Sequence, residues 1–219
     1  MNEEQPFQLP GIDVIAGAAG VPRLVGPPRA LAAGVDTGTV VLVEGISDKF
    51  ALEAVAQRLG RNLATEGVSI VPIGGATNAR RFLGLLGPEG YGLRLAGLCD
   101  LGEEGAFRRA LESAGLGSHL MRSDMEALGF HVCVADLEDE LIRSLGATLV
   151  EHVVDAQGEL GSFRTLQRQP AQQGRTVETQ LRRFMGTRGG RKIRYARLLV
   201  DALDLARVPR PLDRLLAHV

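Results

Sequence analysis

A chain of 219 residues with 45% hydrophobic content can bury one substantial α/β core and a smaller appendage. Aromatic residues make up 4% and tryptophan is absent, which argues against a base-stacking platform for single strands, and a net charge of −1 favours no polyanionic partner for the chain as a whole. Cys99 and Cys133 lie in apolar, strand-like runs. They read as core residues of a reducing compartment, and with no basic-then-apolar leader and no apolar run of membrane-spanning length the expectation is a soluble cytoplasmic protein without membrane contact.

Residues 1–37 are rich in Gly, Pro and Ala, with prolines at 6, 10, 22, 27 and 28, and are expected to form an irregular N-terminal arm. Within it Ile12–Ala16 reads as a short element and Arg29–Ala33 as a weak helix. From Val40 the pattern becomes strand, helix, strand, helix. Val40 to Val43 is a β-branched apolar run that ends in Glu44 and Gly45, and Leu52, Val55, Ala56 and Leu59 then recur at helical spacing. The spacing predicts a buried strand over 39–44 and a helix over 48–59 with Ser47 as N-cap. A second strand over 68–73 ends in Gly74-Gly75 and leads to a helix over 78–86, and a third over 93–99 ends at Asp100 before a helix over 103–114. A fourth over 130–135 leads to Asp136 as the cap of a helix reaching Leu145. Short right-handed connections of this kind give a mostly parallel, Rossmann-like sheet of about four strands flanked by helices. Residues 38–146 are therefore read as an α/β domain and 147–219 as a helical C-terminal extension packed on it.

Carboxylates gather at predicted strand ends: Glu44 and Asp48, then Asp100, Glu103 and Glu104, then Asp136, Glu138, Asp139 and Glu140. In open α/β sheets these ends are where ligands bind, and paired carboxylates there suit a divalent cation. Ten basic residues fall between Ser162 and Arg197 against the single acid Glu178. An acidic pocket beside a basic surface is the layout of a metal-dependent phosphodiester enzyme; the competing reading is a solvated, Arg-rich helical surface. Asp48 can also be read as a helix-dipole partner, Asp136 as a plain N-cap, and Gly74 and Gly75 as turn residues. The four histidines lack metal-ligand spacing and are assigned no role.

Glu44-Gly45 after an apolar strand, a glycine-bearing second strand end and Leu98-Cys99-Asp100 after a third resemble the TOPRIM domain of topoisomerases, primases and related nucleases. The fuller run Val43-Glu44-Gly45-Ile46-Ser47-Asp48-Lys49 is most similar to the OLD (overcoming lysogenization defect) nucleases, as are Asp136-Leu137-Glu138 opening a helix and Lys192 ahead of Tyr195-Ala196. Two departures stand out. The usual third motif is Asp-x-Asp, whereas here Asp100-Leu101-Gly102 lacks the second carboxylate, which Glu103 or Glu104 could replace. The family's ATPase motif G-x-x-x-x-G-K-[ST] does not occur, so the expectation is a stand-alone TOPRIM protein whose ATPase partner would be a separate chain.

The resemblance implies a metal-dependent endonuclease working by a two-metal mechanism, with Mg²⁺ or Mn²⁺ ions about 4 Å apart. It implies Glu44, Asp48 and Asp100 as catalytic metal ligands, Glu103 as a replacement ligand, Glu138 as a ligand or outer base, and Lys192 as the cation at the scissile phosphate. Gly74 and Gly75 would allow close backbone approach, and Arg188, Arg191 and Arg194 would track a nucleic acid, DNA in the first instance and RNA as a weaker expectation. The alternative is a catalytically degenerate TOPRIM module that binds nucleic acid or a partner ATPase without cutting.

Overall fold

In the computed structural model the residues described are 38–188 and 190–219, together with the backbone of 8–9, 12–16 and 22–25. The segment read as an irregular arm contains strands β1 (Gln8–Leu9), β2 (Ile12–Ala16) and β3 (Pro22–Val25), paired antiparallel in that order. The β-branched run of β2 pairs despite its Gly- and Pro-rich surroundings, and Pro22 opens an edge strand, where its missing N–H costs least. The helix expected over 29–33 lies outside the described residues.

The main sheet is four-stranded and fully parallel in the order β5 (Val68–Pro72), β4 (Thr39–Val43), β6 (Arg94–Cys99), β7 (Phe130–Val132). All five β4 residues are buried, as an interior parallel strand covered on both faces requires. Val41 and Val43 enter one core with Leu98 and α1 (Ile46–Arg58); Val40 and Leu42 enter the other with α2 (Ala79–Leu86), α3 (Glu104–Ser113) and α4 (Arg122–Ala127). The first core continues without a break through α5 (Leu137–Leu145), α6 (Ala147–Ala156), α7 (Leu160–Gln167), α8 (Val177–Met185), α9 (Arg191–Ala202) and α10 (Arg210–His218). No described helix is long and apolar enough to cross a membrane.

Helix α1 is buried on more than one side: Ala51, Leu52, Ala54, Val55 and Ala56 are all inaccessible because α1 lies between the sheet and α9. Its small alanines admit α9, and Arg58 Nη1 donates to the carbonyls of Val200 and Leu203 at 2.5 Å each, satisfying the end of that helix. Strand β7 stops three residues earlier than its apolar run implies. After Cys133 N–H bonds to the Cys99 carbonyl at 2.9 Å, the next amide, Val134, donates to Glu140 Oε1 at 2.6 Å, turning the chain into α5. Gly97 sits where β6 crosses under Phe130, and a Cβ there would lie 2.7 Å from the ring and 2.9 Å from the Leu42 carbonyl. Gly97→Ala is expected to cost about 1–3 kcal/mol as an overpacked core does, or roughly 2–10 °C in a thermal melt followed by circular dichroism.

Candidate metal centre and its basic flank

The chain passes from β4 directly into Glu44, whose carbonyl accepts both the Gly74 and Gly75 amides at 3.1 Å. Those two glycines have φ of 73° and 104°, left-handed values that side-chain-bearing residues rarely adopt, and they fasten the end of β5 beside the end of β4. The N-cap of α1 is Gly45, not Ser47, and the helix begins two residues earlier than its apolar spacing indicates. The cause is Asp48, whose Oδ2 accepts the Gly45 N–H at 2.8 Å as the acidic partner of a capping interaction. Asp48 is thus a helix-terminus residue and, at the same time, a wall of the cavity described next.

Glu44, Asp48 and Asp100, each from a different strand end or helix start, line one cavity of about 470 Å³ with Gly75, Arg188 and Lys192. The Glu44 and Asp100 carboxyl groups are neighbours on this cavity, and the charge of one bears on the ionisation of the other. Burial, then the charges of Glu44, Asp48 and Asp136, push Asp100 up to about 8. Burial also raises Glu44, reinforced by Asp48 and Glu103, and it raises Asp48. Among the described residues, however, no three His, Cys, Asp or Glu side chains stand in position to hold a metal ion together.

Glu103 ends the short 3₁₀ turn after Asp100 and contributes negative charge to Glu44, but the cavity is not lined by it. Glu104, the other candidate replacement, is paired with Arg122. Asp136 caps α5 through the Asp139 N–H at 2.8 Å, and its second oxygen takes Arg182 Nε at 2.6 Å. Glu138 is buried beside Lys192 Nζ at 3.0 Å, and burial, opposed by that cation, leaves its carboxyl raised to about 7. Lys192 stands in the first turn of α9. Burial works against its charge, yet Glu138, Asp48 and Asp136 outweigh it and hold the ammonium above its ordinary range.

The three arginines named for nucleic-acid contact divide. Arg188 faces the acidic cavity. Arg191 is only 5% exposed: its guanidinium stacks 3.9 Å from the Phe184 ring centroid and donates to the Phe184 carbonyl at 3.0 Å, Thr187 Oγ1 at 2.7 Å and Glu159 Oε1 at 2.8 Å. It is spent inside the protein, fixing the start of α9, and cannot also follow a phosphate backbone. Arg194 and the Tyr195 hydroxyl share the other Glu159 oxygen. Despite burial, hydrogen bonds from Arg191 and Tyr195 hold the Glu159 carboxyl below its usual range. Glu159 and Arg182 therefore position the site without any sequence signal to mark them, because their partners are 32 and 46 residues away. Glu159→Gln is expected to loosen α9 and lower the melting temperature by about 2–6 °C, the consequence of leaving buried Arg191 without its anion.

Residues 38–101, which hold Glu44, Asp48 and Asp100, match the family model of the overcoming lysogenization defect protein-like TOPRIM domain. The chain carries an OLD-like TOPRIM domain. The likeness of fold extends beyond that segment. The C-terminal region of the Xanthomonas campestris pv. campestris OLD protein superimposes with a TM-score of 0.62 at 24% identity, covering 84% of this chain and 94% of that one. The C-terminal region of the Burkholderia pseudomallei OLD protein gives 0.63 at 20% identity, covering 82% and 95%. No curated protein matches the sequence. A share of 84% is more than residues 1–146 alone could supply, so the likeness of fold reaches into the helical C-terminal part, whose Lys192 lines the cavity with the TOPRIM strand ends.

Proposed function

We propose that this protein is a metal-dependent nuclease that hydrolyses phosphodiester bonds of DNA at the Glu44–Asp48–Asp100 cavity. The observation that carries the reading is the convergence of three carboxylates, two from the β4–α1 turn and one from the end of β6, on one cavity that Lys192 and Arg188 also line. Crowded carboxylates whose joint ionisation is disfavoured are a site where a divalent cation can supply the missing positive charge, and oxygen donors with room for retained waters suit Mg²⁺ or Mn²⁺. Glu44 and Asp100 would hold the ion, with Asp48 beside them, its Oδ2 engaged by the Gly45 amide. Bound there, such ions would neutralise the scissile phosphate and lower the pKa of the attacking water. Lys192 offers a fixed positive charge to the phosphate as negative charge builds on it, and Glu138 keeps that ammonium aimed and protonated. Arg188 supplies a second cation at the cavity mouth. Gly75 leaves no side chain between the β5 end and the substrate.

A second reading is favoured by Gly102, which occupies the position of the absent second aspartate, and by the lack of a preassembled three-carboxylate set among the described residues. In that reading the domain binds nucleic acid or a partner ATPase without cutting. Supercoiled plasmid incubated with Mg²⁺ or Mn²⁺ decides between them. Nicked or linear product from the wild type, and none from Glu44→Ala, is the expected result; intact plasmid in both lanes with every metal leaves only the binding module. Structured RNA in place of plasmid separates the two substrates.

A further inference from the structure

The arginines around the site are of two kinds. Arg164, Arg182, Arg191 and Arg194 are each tied to a carboxylate, of Glu151, Asp136 or Glu159. Arg175 and Arg183 are exposed, and among the described residues neither takes part in an ion pair. Both line a second cavity of about 280 Å³, together with Arg182, Lys192, Asp136 and Glu138. The two carboxylates in that wall are already neutralised, Asp136 by Arg182 at 2.6 Å and Glu138 by Lys192 at 3.0 Å. Two cationic forks therefore remain uncompensated. They sit at opposite ends of α8, one just before its Thr176 cap and the other in its last turn.

This cavity shares Lys192 and Gly186 with the acidic one, so the two adjoin. On the other side of the acidic cavity lies a space of about 240 Å³ walled by Arg188, Arg191 and Arg194, where Glu159 neutralises two of the three arginines. The flanks are electrostatically unequal. A polyanion seated over the carboxylates meets uncompensated charge mainly toward α8. We propose that the α8 cavity is a phosphate subsite, in which Arg175 and Arg183 hold a backbone phosphate of the polynucleotide flanking the scissile one. Planar guanidinium groups match phosphate oxygens in pairs, and exposed ones give up little solvation to bind them. The inference rests on the polynucleotide reading given under Proposed function.

The test is equilibrium binding of a fluorescein-labelled oligonucleotide in EDTA over a range of salt concentrations. Loss of that phosphate contact in Arg175→Gln/Arg183→Gln should reduce the slope of log K against log salt by about 0.7 for a single strand or about 0.9 for a duplex. Arg175→Lys/Arg183→Lys should restore it. Arg108→Gln/Arg109→Gln, on α3 behind the sheet, removes the same charge and should keep the wild-type slope. A melting curve of each variant confirms that it is folded. Wild-type binding with an unaltered slope in the glutamine variant overturns the subsite and leaves the polynucleotide reading standing. An equal change in the α3 control also overturns it, since the effect would then be one of net charge. Failure of the wild type to bind any oligonucleotide overturns both.

Discussion

Asp100→Asn is expected to abolish plasmid cleavage and, at the same time, to make the protein more stable at pH 8. Both effects come from the same carboxyl. In the folded protein, burial and the neighbouring charge of Glu44 push Asp100 up to about 8, against an ordinary value near 3.8. Between those two values the folded state retains a proton that the unfolded state has released. Stability therefore falls as pH rises across this window and levels off above it. An amide of nearly the same size carries no charge, so the variant should lack that part of the decline. Because Asp100 borders an open cavity, solvent discounts the effect to about 1–2 kcal/mol, or roughly 2–8 °C in the melting temperature. The measurement is thermal unfolding in EDTA from pH 5 to pH 9. A variant with the wild-type pH slope would show that the Glu44–Asp100 pair is not strained, and would remove the electrostatic ground for a cation between them. A stabilised but inactive variant would show an acidic cluster maintained at a cost to the fold.

The parts of this arrangement that could be read from the sequence are those where a local pattern and the tertiary fold agree. The apolar run Val40–Val43 followed by Glu44-Gly45 specifies a buried strand ending in a carboxylate, and Asp136 ahead of Leu137, Leu141 and Leu145 specifies a capped helix; both stand where the pattern puts them. The start of α1 was legible only to within two residues, since Ser47 is the better N-cap by type and the Asp48–Gly45 bond wins in the folded chain. Helices α6 and α7 leave no clear trace: Val150, Val153 and Val154 favour extended backbone locally and become helical because they pack into the core with Phe163 and Leu199. Charge was the hardest to read. The Arg-rich stretch shows no difference in sequence between Arg191, buried against Phe184 and Glu159, and Arg183, exposed beside the site. Only the fold, by bringing Glu159 and Asp136 to some arginines and not to others, separates those that hold the protein together from those available to a ligand.

Lys192 combines both roles, and a double-substitution cycle can divide them. Lys192→Met is expected to reduce cleavage by about 10²–10³-fold, the usual loss when a preorganised charge at the reacting centre is removed. It should also destabilise the fold. Glu138 is buried with Lys192 as its cation, and already stands raised to about 7 with that cation in place. Without it the carboxyl must be protonated or remain buried and unpaired, at about 1–3 kcal/mol given that the lysine itself is partly exposed. A carboxyl whose folded value is raised loses stability as pH climbs toward that value, so the deficit should be larger at pH 8.5 than at pH 6. Glu138→Gln/Lys192→Met removes both charges, and should recover most of the stability and flatten its pH dependence. If the ammonium acts on the substrate, the double variant melts like the wild type and still fails to cut. Recovery of cleavage along with stability would instead mean that Lys192 serves only to accommodate Glu138, and the positive charge at the scissile phosphate would have to come from Arg188.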